Sequence, residues 1–257
     1  MNNNAWFKKE IPLQTVIGFG GGATGFGAHS SSATKTYVDD LFSTYIYDGD
    51  GSSSHTITNN IDLSDKGGMV WIKRRNGTYD NWLMDSVRGG TKMISSNLGN
   101  AEATNQAITS FNTNGFTLGN EGQTNAGGTN MVSWSFAKQK GFFDIVTWTG
   151  DGSDPRNISH SLGSNPGCIF YKRTDASADW IVYNRHLTNP ATYLLQLDGT
   201  NAEYGTHGDF GSTLPTASVF TVASNLNTSG ATYVAYLFAG GESTADTARS
   251  VDFDGSG

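Results

Sequence analysis

The chain of 257 residues contains an internal repeat with a period of about 100 residues. Six short blocks of the first half recur in the second half in the same order and with nearly constant spacing. Because solenoid repeats are much shorter, at roughly 20–50 residues, each copy is expected to fold as a domain with its own core. We therefore predict two modules, residues 41–140 and 141–241. The corresponding blocks are residues 45–51 and 146–152, 56–58 and 157–159, 68–74 and 167–173, 80–82 and 178–180, 114–118 and 218–222, and 128–136 and 230–238.

The repeated blocks have the composition of short β-strands. Residues 129–136 and 232–238 mix β-branched and aromatic side chains over the length of one strand. Residues 69–72 are almost continuously apolar, which indicates a strand in the middle of a sandwich. With 33 glycines and only 15% charged residues, the chain is poor in helix formers. We predict an all-β fold of two tandem antiparallel β-sandwich modules, jelly-roll-like, with hairpin turns at the Asp-Gly pairs that begin at Asp48, Asp50 and Asp151.

Both ends of the chain differ from the repeat. Residues 1–40 form a Gly-rich segment, which suits either a flexible leader or an extended arm. Its large apolar residues favour an arm that becomes ordered on the surface of a partner. Residues 242–257 have the pattern of a linker and the first strand of a further domain, so we expect the natural chain to continue or this strand to complete a neighbour's sheet. The predicted anchors of the arm are Trp6, Phe7, Ile11, Leu13 and Ile17.

Composition argues against several classes of partner. A net charge of −7 and a pI near 5.1 argue against nucleic acid, because phosphate binding needs clustered Lys and Arg. No segment reaches the roughly 18 continuous apolar residues of a membrane span, and residues 1–10 lack the apolar core of a secretory signal. We therefore expect the protein to be made in a cytosol. The single cysteine, Cys168, is predicted to be a small buried hydrophobe rather than part of a disulfide framework.

Sequence patterns of catalysis are absent. The five histidines show no metal-ligand spacing, and there is no Gly-x-Ser-x-Gly nucleophile motif. Asp48, Asp50, Asp151 and Asp154 could offer oxygens to Ca²⁺, but turns explain these residues better, and Asn59 stands where an EF-hand loop would need Glu. A glycosidase needs two paired carboxylates, and nothing pairs the scattered aspartates. We predict no enzymatic activity, no cofactor and no metal, with polysaccharide hydrolysis as the least favoured alternative.

Sugar binding is the functional alternative that the residues support. It requires an exposed aromatic ring that stacks on a pyranose, with polar side chains beside it. Trp82 with Arg88, and Trp180 with Arg185, have that composition. The competing interpretation places both tryptophans in the sandwich cores, since a buried Trp is a regular feature of such folds.

The repeat blocks resemble tandem modules in tail-fibre and virion proteins of marine tailed phages, above all those of phages that infect cyanobacteria. The resemblance covers residues 41–240 and rests on residues 47–51 (YDGDG), 68–74 (GMVWIKR), 110–119 (SFNTNGFTLG) and 233–238 (YVAYLF). Residues 8–22 are similar to the N-termini of phage appendages, and residues 251–257 are similar to the first strand of a laminin-G or concanavalin-like lectin domain.

The resemblance implies a structural component of a phage tail that contributes to attachment to the host. Residues 1–40 would then dock on other tail proteins, and the chain would form a homotrimer, as tail fibres usually do. The virion would be its location, after assembly in the host cytoplasm. A carbohydrate-binding module that recognises a host glycan is the alternative.

Overall fold

The computed structural model describes residues 36–205 and 208–241. The first module contains nine strands and one short helix: β1 (Phe42–Gly49), β2 (His55–Thr58), β3 (Gly68–Arg74), β4 (Asn81–Asp85), β5 (Gly89–Ser95), β6 (Ala103–Thr104), β7 (Ile108–Asn112), β8 (Gly115–Leu118), α1 (Gly122–Asn125) and β9 (Thr129–Ala137). The second module contains seven strands: β10 (Phe143–Thr149), β11 (Arg156–Ser159), β12 (Pro166–Arg173), β13 (Ile181–Asn184), β14 (Leu195–Gln196), β15 (Val219–Val222) and β16 (Thr232–Ala239). Turns of 3₁₀-helix lie at Val38–Asp40, Gly208–Phe210 and Ser224–Leu226.

The two modules share the order of their equivalent strands, and module 1 has one more strand in each sheet. In module 1 a large sheet has the strand order β1-β9-β3-β4-β5-β6, and a small sheet has the order β2-β8-β7. In module 2 the large sheet has the order β10-β16-β12-β13-β14, and the small sheet pairs β11 with β15. Every pairing between these strands is antiparallel. The predicted all-β sandwich character is confirmed.

Each module encloses a core of its own between its large and small sheets. In module 1 this core includes Ile72, Met84, Phe116 and Met131. In module 2 it includes Trp148, Tyr171, Phe220 and Tyr233.

A third core joins the interface sides of the two large sheets, by which we mean the faces that each turns toward the other module. Alternate residues of one strand serve different cores: Met131 of β9 packs inside module 1, whereas Phe136 packs against the third core. Because strand β3 packs against the module 1 core on one face and the third core on the other, residues 69–72 read as a continuous apolar run. The members of the third core are Met69, Leu83 and Ile94 of module 1, and Phe143, Ile145, Trp180, Val234 and Tyr236 of module 2.

The hairpins predicted from the Asp-Gly pairs are wrong. Strand β1 pairs with β9, and β2 pairs with β8, so the chain between β1 and β2 crosses from the large sheet to the small one. Asp50 is the first residue of this crossing in module 1, and its equivalent Asp151 is the second residue of the crossing in module 2. The glycines still have a local reason, since Gly51 and Gly152 have φ angles of 71° and 77°, which disfavour other residues.

The two tryptophans are not equivalent, contrary to the alignment of residues 80–82 with 178–180. Across β3 and β4 Ile72 pairs with Trp82, whereas across β12 and β13 the equivalent Tyr171 pairs with Ile181. The ladder therefore equates Trp82 with Ile181, and Trp180 lies one position earlier. A shift of one residue moves a side chain to the other face of a sheet. As a result, Trp82 packs against the core of module 1, and Trp180 belongs to the third core.

Candidate functional site

Trp180, a predicted sugar-stacking residue, is fully buried between the modules. Its Nε1 donates a hydrogen bond of 2.7 Å to the carbonyl of Ser95 in module 1. Its ring stacks on Tyr236, with centroids 6.3 Å apart. Neither face of the ring is open to a ligand, so a sugar-binding role does not fit Trp180. Trp180 is a core residue, as the competing interpretation expects, but the core in question lies between the modules.

Arg88 belongs to a buried polar network at the same interface. Its Nε contacts Asp85 Oδ2 at 2.6 Å, its Nη1 contacts Glu102 at 2.8 Å, and its Nη2 donates to the Tyr236 hydroxyl at 2.9 Å. Tyr236 in turn donates to Asp85 over 2.8 Å. Two further bonds, to the carbonyls of Lys92 and Leu83, use the remaining N–H groups. Arg88 therefore has no donor left for a glycan.

The electrostatics of this network match its geometry. Burial by itself lowers the pKa of Arg88, but the neighbouring Tyr236 and Asp85 more than reverse this and hold the pKa above its ordinary value. Burial also raises the pKa of Tyr236 well above its usual range. Arg88 consequently keeps its charge and Tyr236 keeps its proton, which suits a structural contact between the modules.

Trp82 and Arg185, the other two predicted sugar-binding residues, lie in different modules. Trp82 is half-buried against the core of module 1, and its Nε1 is buried without a hydrogen-bond partner among the described residues. Arg185 donates to the carbonyls of Gly240 and Gly241, at 3.1 and 2.8 Å. The structure thus assembles no sugar site from the predicted residues. The predicted arm anchors, Trp6, Phe7, Ile11, Leu13 and Ile17, and residues 242–257 lie outside the described residues.

A partly exposed apolar surface lies elsewhere, on the interface side of the large sheet of module 1. It consists of two cross-strand pairs, Ile46 with Val132 and Trp71 with Trp134, which we call the open aromatic face. Ile46 is 63% exposed, and the other three side chains are half-buried. The two indole rings meet edge to face, with centroids 5.9 Å apart and an interplanar angle of 61°.

Polar side chains surround the open aromatic face in the same register. Thr44 is opposite Trp134, Lys73 is opposite Val132, and Asp48 is opposite Asn130. Asn130 Nδ2 donates to Asp48 Oδ1 at 2.8 Å. These residues form a hydrophilic rim around an aromatic centre.

The corresponding part of module 2 is a cleft between the modules with a volume of about 500 Å³. It is lined by Val87, Arg88 and Glu102 of module 1 and, in module 2, by four threonines and two aromatic residues: Thr147, Thr149, Thr174, Thr232, Trp148 and Tyr233. The hydroxyls of Thr174 and Thr232 bond to each other at 2.5 Å. Because Arg88 is already saturated, this inter-module cleft offers mainly hydroxyl groups to a ligand.

The loops that were considered for Ca²⁺ are held by a buried asparagine instead. In module 1, Asn125 Nδ2 donates to Asp50 Oδ1 at 3.1 Å and to the Ser52 carbonyl at 3.0 Å, and its Oδ1 accepts from the Asp50 amide. Asn227 repeats these contacts with Asp151 in module 2. We call each arrangement an asparagine clamp. No group of His, Cys, Asp or Glu within the described ranges has the arrangement of a metal site.

The carboxyls of both clamps have lowered pKa values. Hydrogen bonds from Ser52, first of all from its backbone amide, lower the pKa of Asp50. Hydrogen bonds from the side chain and backbone of Ser153 lower the pKa of Asp151 to about 2. Both groups are therefore acceptors fixed in their loops rather than acids poised to donate a proton.

The sequence contained signals for the residues that its interpretation missed. Trp71 and Trp134 stand in repeat blocks where module 2 has Phe170 and Tyr236, and strand alternation places both on one face. The clamps also follow the repeat, since Asn125 and Asn227 each precede a glycine of positive φ by three residues, at Gly128 and Gly230. An asparagine recurring at the same place in two copies was a readable sign of a shared turn.

No helix of residues 36–205 and 208–241 is long and apolar enough to cross a membrane. A search of the curated proteins and a search of the solved structures each find no match for the chain. The family described as domain of unknown function DUF7483 matches residues 38–245, a span that takes in both modules. This span is most of the chain, and the protein is therefore a member of the DUF7483 family.

Proposed function

We propose that the chain is a non-catalytic subunit of a tailed-phage particle that combines a structural role with attachment to the host. The proposal begins with the resemblance of residues 41–240 to modules of marine phage tail-fibre and virion proteins. The open aromatic face is the observation that carries it further. Apolar groups exposed together on a well-packed body mark a surface for interaction.

Support also comes from the way in which the modules are joined. The third core and the Asp85–Arg88–Tyr236 network cross from one module to the other, so the two sandwiches support each other. A fused pair of sandwiches suits a component that carries load between a particle and a surface. In the same proposal, residues 1–40 attach to other tail proteins through Trp6, Phe7, Ile11, Leu13 and Ile17, and three chains associate.

The carboxylates in the described residues favour structure over catalysis. Asp144 accepts the Ser161 amide at 2.7 Å and pairs with Lys138, and Asp198 accepts the Trp180 amide at 3.0 Å. Asp85 is closed inside the interface network. A hydrolase would need two such groups facing a common cleft.

Immunogold labelling tests the proposal. Antibodies raised against the recombinant chain should label the tails of particles from a phage that encodes it, and light scattering should give a trimeric native mass. Particles that carry no label, with the chain found only in the lysate, would contradict a virion role. If the purified chain is a monomer and the antibodies still label the tail, only the proposed trimer is contradicted.

A further inference from the structure

We infer that the open aromatic face binds a saccharide chain. This deepens the proposed function, on which it rests, by naming the ligand class of the attachment surface. It also assigns sugar recognition to residues other than Trp82, Arg88, Trp180 and Arg185.

The shape of the face fits a sugar chain. Ile46, Val132, Trp134 and Trp71 lie in two neighbouring rows of one sheet, so they present a shallow surface and not a pocket. The C–H groups on one side of a pyranose ring pack well on the face of an indole, which is large, rigid and apolar. Trp71 packs against the third core and meets Trp134 edge to face, so Trp134 offers the main stacking surface and Trp71 extends the apolar area beside it.

The rim supplies hydrogen bonds for sugar hydroxyls. The Thr44 hydroxyl, the side-chain amide of Asn81 and Asp48 Oδ2 make no hydrogen bond among the described residues, whereas the backbone amide of Asn81 donates to Asn97. Lys73 uses its ammonium group on the carbonyl of Tyr79, which leaves further donors. Donors and acceptors thus surround the rings on several strands, as a polyhydroxylated ligand requires.

The extent of the face argues for a sugar and against a protein partner. A stable protein interface buries about 800 Å² on each partner around well-packed anchors. The face offers four apolar side chains, and three of them are already half-buried. Lysine and acidic rim residues are mixed, which suits a largely neutral polymer better than a charged one.

The test uses the whole chain of 257 residues and, as probes, the lipopolysaccharide and capsular polysaccharide of the bacterial strain on which the phage grows. Titration calorimetry and tryptophan fluorescence measure binding. Trp134→Ala is expected to weaken binding at least tenfold, and Trp134→Phe less, because a ring remains. Ile46→Arg, which places a long cation on an exposed position of the face, is expected to abolish binding without unfolding the chain.

Tyr45→Ala is the matched control. Tyr45 is 38% exposed and adjoins Ile46 on β1, but it points to the opposite side of the sheet. Its substitution is expected to leave affinity within twofold. Circular dichroism and the Tm of each variant establish that the fold is retained.

Three outcomes would overturn the inference. The first is that the unmodified chain binds neither polysaccharide. The second is that the Trp134→Ala and Ile46→Arg variants bind with the same affinity as the unmodified chain. The third is that Thr147→Val abolishes binding, which would place the site in the inter-module cleft. Dimerisation that Ile46→Arg abolishes, in place of sugar binding, would show a face for a second copy. If sugars fail to bind but immunogold still labels the tail, only this inference fails. If sugars bind and no particle is labelled, the virion role fails instead.

Discussion

Equivalent positions on the interface sides of the two large sheets are buried to different extents. In module 2, Val234, Tyr236 and Lys172 are fully buried on the interface side. Their equivalents in module 1, Val132, Trp134 and Lys73, are half-buried. The modules therefore pack with an offset, in which module 1 covers more of module 2 than module 2 covers of module 1.

This asymmetry shows that a duplicated fold need not have duplicated surfaces. The strand order and the asparagine clamps are common to both copies, because each copy needs them to form a sandwich. The interface sides have diverged: Asn81 of module 1 corresponds to Trp180, which fills the third core from module 2. Divergence at these positions allows the interface side of module 2 to be buried while part of the interface side of module 1 remains exposed.

The largest expected effect comes from the Asp85–Arg88–Tyr236 network, in which the ion pair lies in module 1 and the tyrosine in module 2. Arg88→Met leaves the fully buried Asp85 without its ion pair, and we expect the free energy of unfolding to fall by about 3–5 kcal/mol. Urea denaturation followed by tryptophan fluorescence measures the change.

Arg185→Met is the control in module 2. Because Arg185 bonds only His186 and the backbone carbonyls of Gly240 and Gly241, and no buried carboxylate, we expect a loss of about 1 kcal/mol or less. Equal losses in the two variants would show that the Arg88 network does not hold the modules together.

The asparagine clamps test what the modules have in common. Asn125→Ala and Asn227→Ala each remove a buried amide that bonds both sides of a loop, and we expect each to lower the free energy of unfolding by about 2–4 kcal/mol. If the third core couples the modules, both variants will shift the same single unfolding transition in calorimetry. Two separate transitions, each moved by only one substitution, would contradict that coupling.

A smaller effect separates the two tryptophans that the repeat alignment equated. Trp180→Phe leaves the Ser95 carbonyl unpaired between the modules, and we expect it to destabilise the chain by about 2 kcal/mol. Trp82→Phe removes an indole N–H that has no partner among the described residues, so we expect a loss below about 1 kcal/mol. Chemical denaturation compares them, and a larger loss for Trp82 would contradict the one-residue shift between the copies.

Local pattern was enough to predict the all-β fold, because β-branched and aromatic runs recur in both copies at the same spacing. It was not enough to predict which strands pair. Asp-Gly chemistry favours a hairpin locally, but β1 and β2 lie in different sheets because each completes a different layer. Pairing is decided by distant residues such as those of β9, and no local window contains them.

The candidate site was missed for a related reason. Polar neighbours in the sequence favour a binding role for Trp82 and Trp180, but Trp82 packs against the core of its own module and Trp180 is buried against the other module. Trp71 and Trp134 looked like ordinary strand residues, and only the offset between the large sheets leaves them open. The packing of one domain on another depends on whole surfaces, which a repeat alignment does not contain.

The smallest expected effect concerns the two equivalent lysines. Burial lowers the pKa of Lys172 from 10.5 to about 8, although its Nζ donates to the carbonyls of Gly99 and Ala178 at 3.1 and 2.7 Å. Between pH 8 and 10.5 the unfolded chain keeps a proton at this lysine that the folded chain has released. Stability from this group therefore rises as the pH rises through that range.

Other buried groups limit where this rise can be measured. Burial raises the pKa of Cys168 to about 11, and it raises the pKa of Tyr171 well above its usual value of 10. These groups make the folded state less stable as the pH rises above about 9, so the window for Lys172 is pH 7–9. In that window we expect the wild-type free energy of unfolding to increase slightly and the Lys172→Met variant to lack the increase. Lys73→Met, which removes the equivalent lysine of module 1 and leaves Lys172 in place, should keep the increase. If the free energy of unfolding of the wild-type chain does not change with pH, or if Lys73→Met also abolishes the increase, the increase cannot be assigned to the burial of Lys172.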